Sequence, residues 1–178
     1  MATTKHTIVA LVEDKPGVLN RMASLFRRRS FNIESIAVGH SEIPHLSRVT
    51  IVVDGATTMV EQVRKQLDKV IDVVRVSDIT EEDIVSRELA LIKVKATSST
   101  RSEIMQIVDI FRANIVDVGS DSLTVEVTGD EDKINSLFNL LRSFGIREVA
   151  RTGRIAMPRG ASSSLQMDER SSRAGTRR

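Results

Sequence analysis

The order of apolar patterns along the chain predicts an α/β sandwich of the α+β kind, made of two consecutive ferredoxin-like βαββαβ domains. Three observations carry that prediction. Strand-like and helix-like stretches follow the order β-α-β-β-α-β over residues 6–76, and the order returns less cleanly over residues 89–157. Residues 50–55 and 124–129 echo each other, Thr-Ile-Val-Val-Asp-Gly against Thr-Val-Glu-Val-Thr-Gly, each just before the second helix of its half. No apolar run approaches the roughly 20 residues that span a bilayer, so no membrane partner is expected.

Residues 6–13 are a β-rich apolar run that ends in the turn Asp14-Lys15-Pro16-Gly17. Val18, Leu19, Met22, Ala23, Leu25 and Phe26 then recur at helical spacing, and Arg27, Arg28 and Arg29 fall on the last turn, where cations suit the helix dipole. Asp14 is the expected N-cap, and Pro16 suits a first turn because its missing N–H would be unbonded there. Strands are predicted over 33–39 and 47–53, separated by a break with Glu42, Pro44 and His45. The second helix is predicted over 57–70, with Val60, Val63, Leu67 and Val70 as its stripe, and residues 73–76 close the half as a strand. An antiparallel sheet with both helices on one face leaves its other face bare, and in a short chain that face points to a partner sheet or another subunit.

An acidic linker, residues 78–83, is expected to lie exposed. The second half then predicts a strand over 89–94, a helix over 101–112, strands over 115–118 and 123–127, a helix over 130–141 and one last strand signal over 146–157. Leu123, Val125 and Val127 alternate with Thr124 and Glu126, the period of a half-buried strand. The domains are therefore placed at 1–79 and 80–158, with a tail over 159–178. That tail is rich in Ser, Gly and Arg and reads as disordered. It is either a solubilising extension or a nucleic-acid arm.

Composition narrows the chemistry. The 178 residues contain no Cys, Trp or Tyr, which excludes disulfides, Cys-based metal sites, cysteine nucleophiles and Tyr or Trp stacking platforms. From Arg159 on, five arginines face Asp168 and Glu169, a net of +3, which leaves the body at −1 of the total +2. The body thus lacks the basic surface of a nucleic-acid binder, and strands 8–12 and 49–53 lack the aromatics an RNA-recognition sheet exposes. The N-terminus has no basic stretch, long apolar core or cleavage-like site, so no signal peptide is read and the protein is expected to be cytoplasmic. None of His6, His40 and His45 forms an HExxH pair; His40 and His45 could come together with Glu42 at a metal but read better as surface residues, and neither a nucleophile elbow nor a phosphate-binding Gly-Lys loop is present.

One stretch suits a small molecule. The turn over 14–19 contains a glycine and opens a helix, whose unbonded N–H groups can receive a carboxylate. Gly17 lets a ligand approach the backbone, and Asp14 can accept from an ammonium group. A carboxylate and an ammonium together describe an amino acid. The same residues would equally serve as a rigid helix start. Asn32, between the first helix and second strand, can bind a ligand through its amide or merely close a turn.

These residues carry a resemblance. Residues 12–19 look like the first turn of an ACT domain, the βαββαβ amino-acid sensor, and the likeness runs on through 25–39, 47–53, 62–67, 87–94, 122–129, 144–154 and Arg159-Gly160. Together these stretches closely resemble the small, regulatory subunit of acetolactate synthase (acetohydroxyacid synthase) over residues 6–160. The resemblance makes the first domain an ACT domain and implies no catalytic residue and no cofactor in this chain. Thiamine diphosphate, Mg2+ and often FAD would belong to a large catalytic subunit, which condenses two pyruvates to 2-acetolactate with loss of CO2, or joins pyruvate to 2-oxobutyrate. The chain would activate that subunit and confer feedback inhibition by valine, leucine or isoleucine. ACT domains would pair as a homodimer with sheets side by side, and the second domain would lead to the catalytic subunit. The effector would sit at that interface on Asp14, Lys15, Pro16, Gly17, Val18, Leu19, Asn32 and Ile33. Two positions depart from the family: Asp14 stands where many relatives have Asn, and Ser30 replaces a common Gly. The first bears on effector orientation, because a carboxylate accepts only and repels the effector's own carboxylate. The tail would be dispensable for activation.

Overall fold

The computed structural model describes residues 5–28, 32–160 and Leu165, so Arg29, Ser30 and Phe31 lie outside the described residues. The chain divides into two compact units. One is formed by residues up to Val85 and again from Ala156 on, the other by Ser86–Ile155.

In the first unit the elements are β1 (Lys5–Glu13), α1 (Val18–Arg28), β2 (Asn32–His40), β3 (Leu46–Asp54), α2 (Thr57–Leu67) and β4 (Val73–Asp78). The four-stranded antiparallel sheet has the order β2-β3-β1-β4, the ferredoxin-like arrangement. Its placement of sides follows from period. Ile8, Ala10 and Val12 of β1 and Val49, Ile51 and Val53 of β3 point to one face and form a core with Val18, Met22 and Phe26 of α1 and Val60, Val63 and Leu67 of α2. Each of these Val, Leu, Ile, Met and Phe side chains contributes about 1.5–3 kcal/mol on full burial. α2 stops at Leu67 rather than Val70, because residues 68–70 turn tightly, with the Lys69 and Val70 amides donating to the Gln66 and Leu67 carbonyls.

The opposite face, expected to be covered by a partner sheet or another subunit, is covered in part from within the chain. Val9 and Leu11 pack with Ile79, Ala156 and Leu165, and Ile43, Leu46 and Ile84 lie against them. The linker is consequently not uniformly exposed. Ile79 is fully buried and its amide donates to the Thr7 carbonyl at 2.9 Å, which prolongs the β1–β4 ladder, while Glu81, Glu82 and Asp83 are exposed. The segment around Ala156 is tied down by Arg48 Nη2, which donates to the Ala156 carbonyl at 2.8 Å, and by the Arg159 amide donating to the Asp83 carbonyl at 2.8 Å. Leu165, assigned by composition to the tail, is therefore a core residue. Residues 161–164 and 166–178 of the predicted tail lie outside the described residues.

The second unit repeats the plan with β5 (Ile84–Lys95), α3 (Arg101–Ile110), β6 (Asn114–Val118), β7 (Ser122–Gly129), α4 (Glu131–Leu141) and β8 (Ile146–Arg151), in the strand order β6-β7-β5-β8. Leu123, Val125 and Val127 are buried on one face with Ala90, Ile92 and Val94, and Ile104, Val108, Ile134, Leu137 and Leu141 cover them from the helices. α4 is capped by Asp130, whose carboxylate accepts from the Lys133 amide at 2.9 Å. The single strand expected over 146–157 is two strands, β8 and β9 (Ile155–Pro158). Gly153, at φ 81°, turns the chain between them, and β9 pairs with β5.

Candidate effector-binding site

The turn after β1 is pinned on both sides before α1 begins. The Glu13 amide donates to the Asp72 carbonyl at 2.8 Å and the Asp14 amide to the His45 carbonyl at 2.8 Å. The first helical backbone bond runs from the Arg21 amide to the Gly17 carbonyl at 3.1 Å. Gly17 thus holds the cap position, with φ 91°, a backbone state that side chains with a Cβ adopt only under strain. None of the amides of Val18, Leu19 and Asn20 makes a well-aligned hydrogen bond among the described residues, although the turn at Pro16 and Gly17 directs one of them toward the Lys15 carbonyl. They form an open set of donors at the positive end of a helix dipole, the arrangement that receives a carboxylate.

The eight residues singled out from sequence play different parts. Asp14 does not cap α1, because Pro16 and Gly17 intervene; its carboxylate instead lies 3.2 Å from His40 Nδ1 at the end of β2. Lys15 turns back, its ammonium bonded to Glu13 and 3.2 Å from Asp72. The hydrogen bonds it donates to Glu13 and then to Asp72 raise its pKa. Pro16 and Gly17 are exposed, Leu19 is about half exposed at 46%, and Val18 is buried in the core as an anchor of the helix. Ile33 packs partly against the same core, and Asn32 is exposed.

The two halves of the candidate site lie far apart within one chain. Asn32 is opposite Asp54, and Asp54 is opposite Lys5, at the start of β1. The Gly17 turn follows Glu13 at the other end of that nine-residue strand. At about 3.3 Å per residue, roughly 26 Å separates the ends. Beside Asn32 in this ladder, Asp54 Oδ1 is buried without a hydrogen-bond partner among the described residues.

Sequence reasoning missed Asp72. It is 1% exposed, and its carboxylate receives Arg21 from α1 and Lys15 from the turn. The available signal was a lone carboxylate inside the apolar stretch Ile71 to Val74. Burial pushes this carboxyl up, but the hydrogen bonds from Lys15 and Arg21 outweigh it and hold it below the usual carboxylate range. A depressed carboxyl contributes stability that is complete above its unfolded pKa of about 3.9 and is lost as pH falls through the lower folded value. Asp72→Asn is therefore expected to lower the thermal midpoint at pH 7 and to flatten its decline between about pH 4 and 2 relative to the unaltered chain. Circular dichroism melts across pH 7 to 2 check this; parallel curves for the two chains would contradict it.

Two ferredoxin-like units of this topology define an ACT-type protein as the class. Residues 8–75 match the family described as an AHAS small subunit-like ACT domain, and residues 87–160 match the family described as the small subunit of acetolactate synthase. The chain is 58% identical over 156 residues to the probable acetolactate synthase small subunit of Archaeoglobus fulgidus, covering 88% of this chain and 98% of that protein. Against the corresponding Methanothermobacter thermautotrophicus protein it is 56% identical over 162 residues, covering 90% and 96%. The crystal structure of the small subunit of acetolactate synthase from Thermotoga maritima superposes with a TM-score of 0.81 at 43% identity, covering 89% of this chain and 99% of that one. The chain belongs to the acetolactate synthase small-subunit family. Among the described residues, no helix is long and apolar enough to cross a membrane.

Proposed function

We propose that this chain pairs with a thiamine-diphosphate-dependent acetolactate synthase catalytic subunit in the cytoplasm, raises its activity and makes it sensitive to a branched-chain amino acid, valine foremost. Thiamine diphosphate, Mg2+ and FAD belong in this reading to the partner. The open amides behind Gly17 carry the proposal. They offer a carboxylate site at the end of β1, and β2, the edge strand beyond β3, presents Ile36 and Val38 about half exposed.

Two copies joined antiparallel through their β2 edges would set Asn32 of one copy beside His40 of the other. His40 already contacts Asp14 of the Gly17 turn. Such a homodimer unites the halves of the site that one chain holds apart. The effector carboxylate would meet the amides of Val18 and Leu19, and its aliphatic side chain would lie near Leu19. Its ammonium would meet the polar end formed by Asn32 of the second copy. Asp14, turned toward His40, leaves the amides free rather than occupying them. Binding shifts the catalytic partner only so far as the effector prefers one arrangement of the paired sheets over another.

Reconstitution of the chain with its catalytic subunit tests this reading. Acetolactate formation is expected to rise on adding the chain and to fall again with valine, with leucine and isoleucine as comparators. No change on adding the chain would defeat the proposal. Asn32→His is expected to weaken valine binding at least about tenfold by isothermal titration, since one amide contact and its fit are lost.

A further inference from the structure

Between α1 and the end of α2 lies an open groove of about 610 Å³, within the roughly 300–1,000 Å³ range of ligand clefts. Leu25, Val70 and Ile71 supply its apolar surface and Arg21, Arg28 and Lys69 its cations. Ile71 is 87% exposed, which leaves a large aliphatic side chain almost wholly in water. The cations are not equivalent. Arg21 is neutralised by Asp72. Arg28 uses only Nε, donating to the Ser24 carbonyl at 3.3 Å, and Lys69 has no side-chain partner among the described residues. The other charges on α2 cancel locally, Glu61 with Lys65 and Asp68 with Arg64. An aliphatic floor edged by two unspent cations selects a partner surface that carries carboxylates beside large apolar side chains.

We infer that this groove is a docking surface for an acidic, aliphatic segment of the catalytic subunit, an inference that rests on the function proposed above. The groove is also wired to the effector turn. Asp72 follows Ile71 directly, and its one carboxylate holds both Arg21 on the groove wall and Lys15 in the turn. A shift of the turn on effector binding therefore reaches the groove through a single buried group. This gives the ACT unit its own contact with the catalytic partner, beside any made by the second unit.

The test measures binding of full-length chain to its catalytic subunit. Arg28→Glu with Lys69→Glu is expected to weaken that binding at least about thirtyfold at low salt, and less at 0.5 M salt as the charges are screened. The neutral pair Arg28→Gln with Lys69→Gln should lose less, and Ile71→Ser about tenfold. Valine affinity, dimer mass and melting temperature should stay those of the unaltered chain. Equal affinity for all variants would overturn the docking while leaving the proposed function standing. So would loss of dimer mass at unchanged subunit affinity, which would make the groove a self-interface. Loss of inorganic phosphate binding alone would overturn it too, in favour of a small-anion site. An unaltered chain that does not bind the catalytic subunit would overturn the proposed function itself.

Discussion

Gly17→Asp is expected to raise the valine concentration for half-inhibition at least about tenfold, with activation of the catalytic subunit retained. Crowding is not the cause. A Cβ built at Gly17 meets nothing within 4 Å. Two other effects act. The φ of 91° strains any residue with a Cβ, by about 1 kcal/mol, and tilts the amides that follow. The introduced carboxylate also sits where an N-cap side chain sits and bonds the same amides that the effector carboxylate needs. Relative to glycine that self-capping returns only a few tenths of a kcal/mol to the helix, so the melting temperature should fall slightly while inhibition is lost. Gly17→Ala separates the two contributions, with strain but no charge, and should shift the inhibition curve less. Dose–response curves for the reconstituted enzyme decide the matter, and curves that superpose for all three chains would remove Gly17 from the site.

Deleting residues 161–178 is expected to destabilise the first unit by about 2–3 kcal/mol, because it removes Leu165 and opens Val9, Leu11, Ile79 and Ala156 to water. For a chain of this size that corresponds to a melting temperature lower by roughly 5–10 °C. Leu165→Ala should reproduce most of the loss, whereas a chain ending at Gln166 should melt with the full-length protein. If the two truncations melt together, Leu165 contributes nothing and the cover over β1 comes from Ile79 and Ala156 alone. Activation measured near the lowered melting temperature would fall for this reason, without any contact between the tail and the catalytic subunit.

Most of the architecture was legible along the chain. The spacing of Val18, Met22 and Phe26 determines which side of α1 is buried, and the alternation of Leu123, Val125 and Val127 determines which side of β7 is buried. Both are consequences of backbone period, which neighbouring residues set on their own. The Gly17 turn was equally visible, because a glycine between a strand and a helix has few other uses. The N-cap was misplaced by three residues, since nothing local says that Pro16 and Gly17 form a turn before the helix rather than its first residues.

What only the tertiary structure decided concerns partners distant in sequence. Asp72 meets Lys15 and Arg21 across more than fifty positions because the β1–β4 ladder brings the start of β4 behind the Gly17 turn. Leu165 covers Val9 and Leu11 because the chain returns after the second unit. Gly17 and Asn32 end at opposite ends of one strand length because antiparallel register places Asn32 opposite Asp54. Local periodicity determines which face of an element is apolar. Which distant residue covers that face, or neutralises a buried charge, is set by strand register and chain return, and no window of sequence contains those.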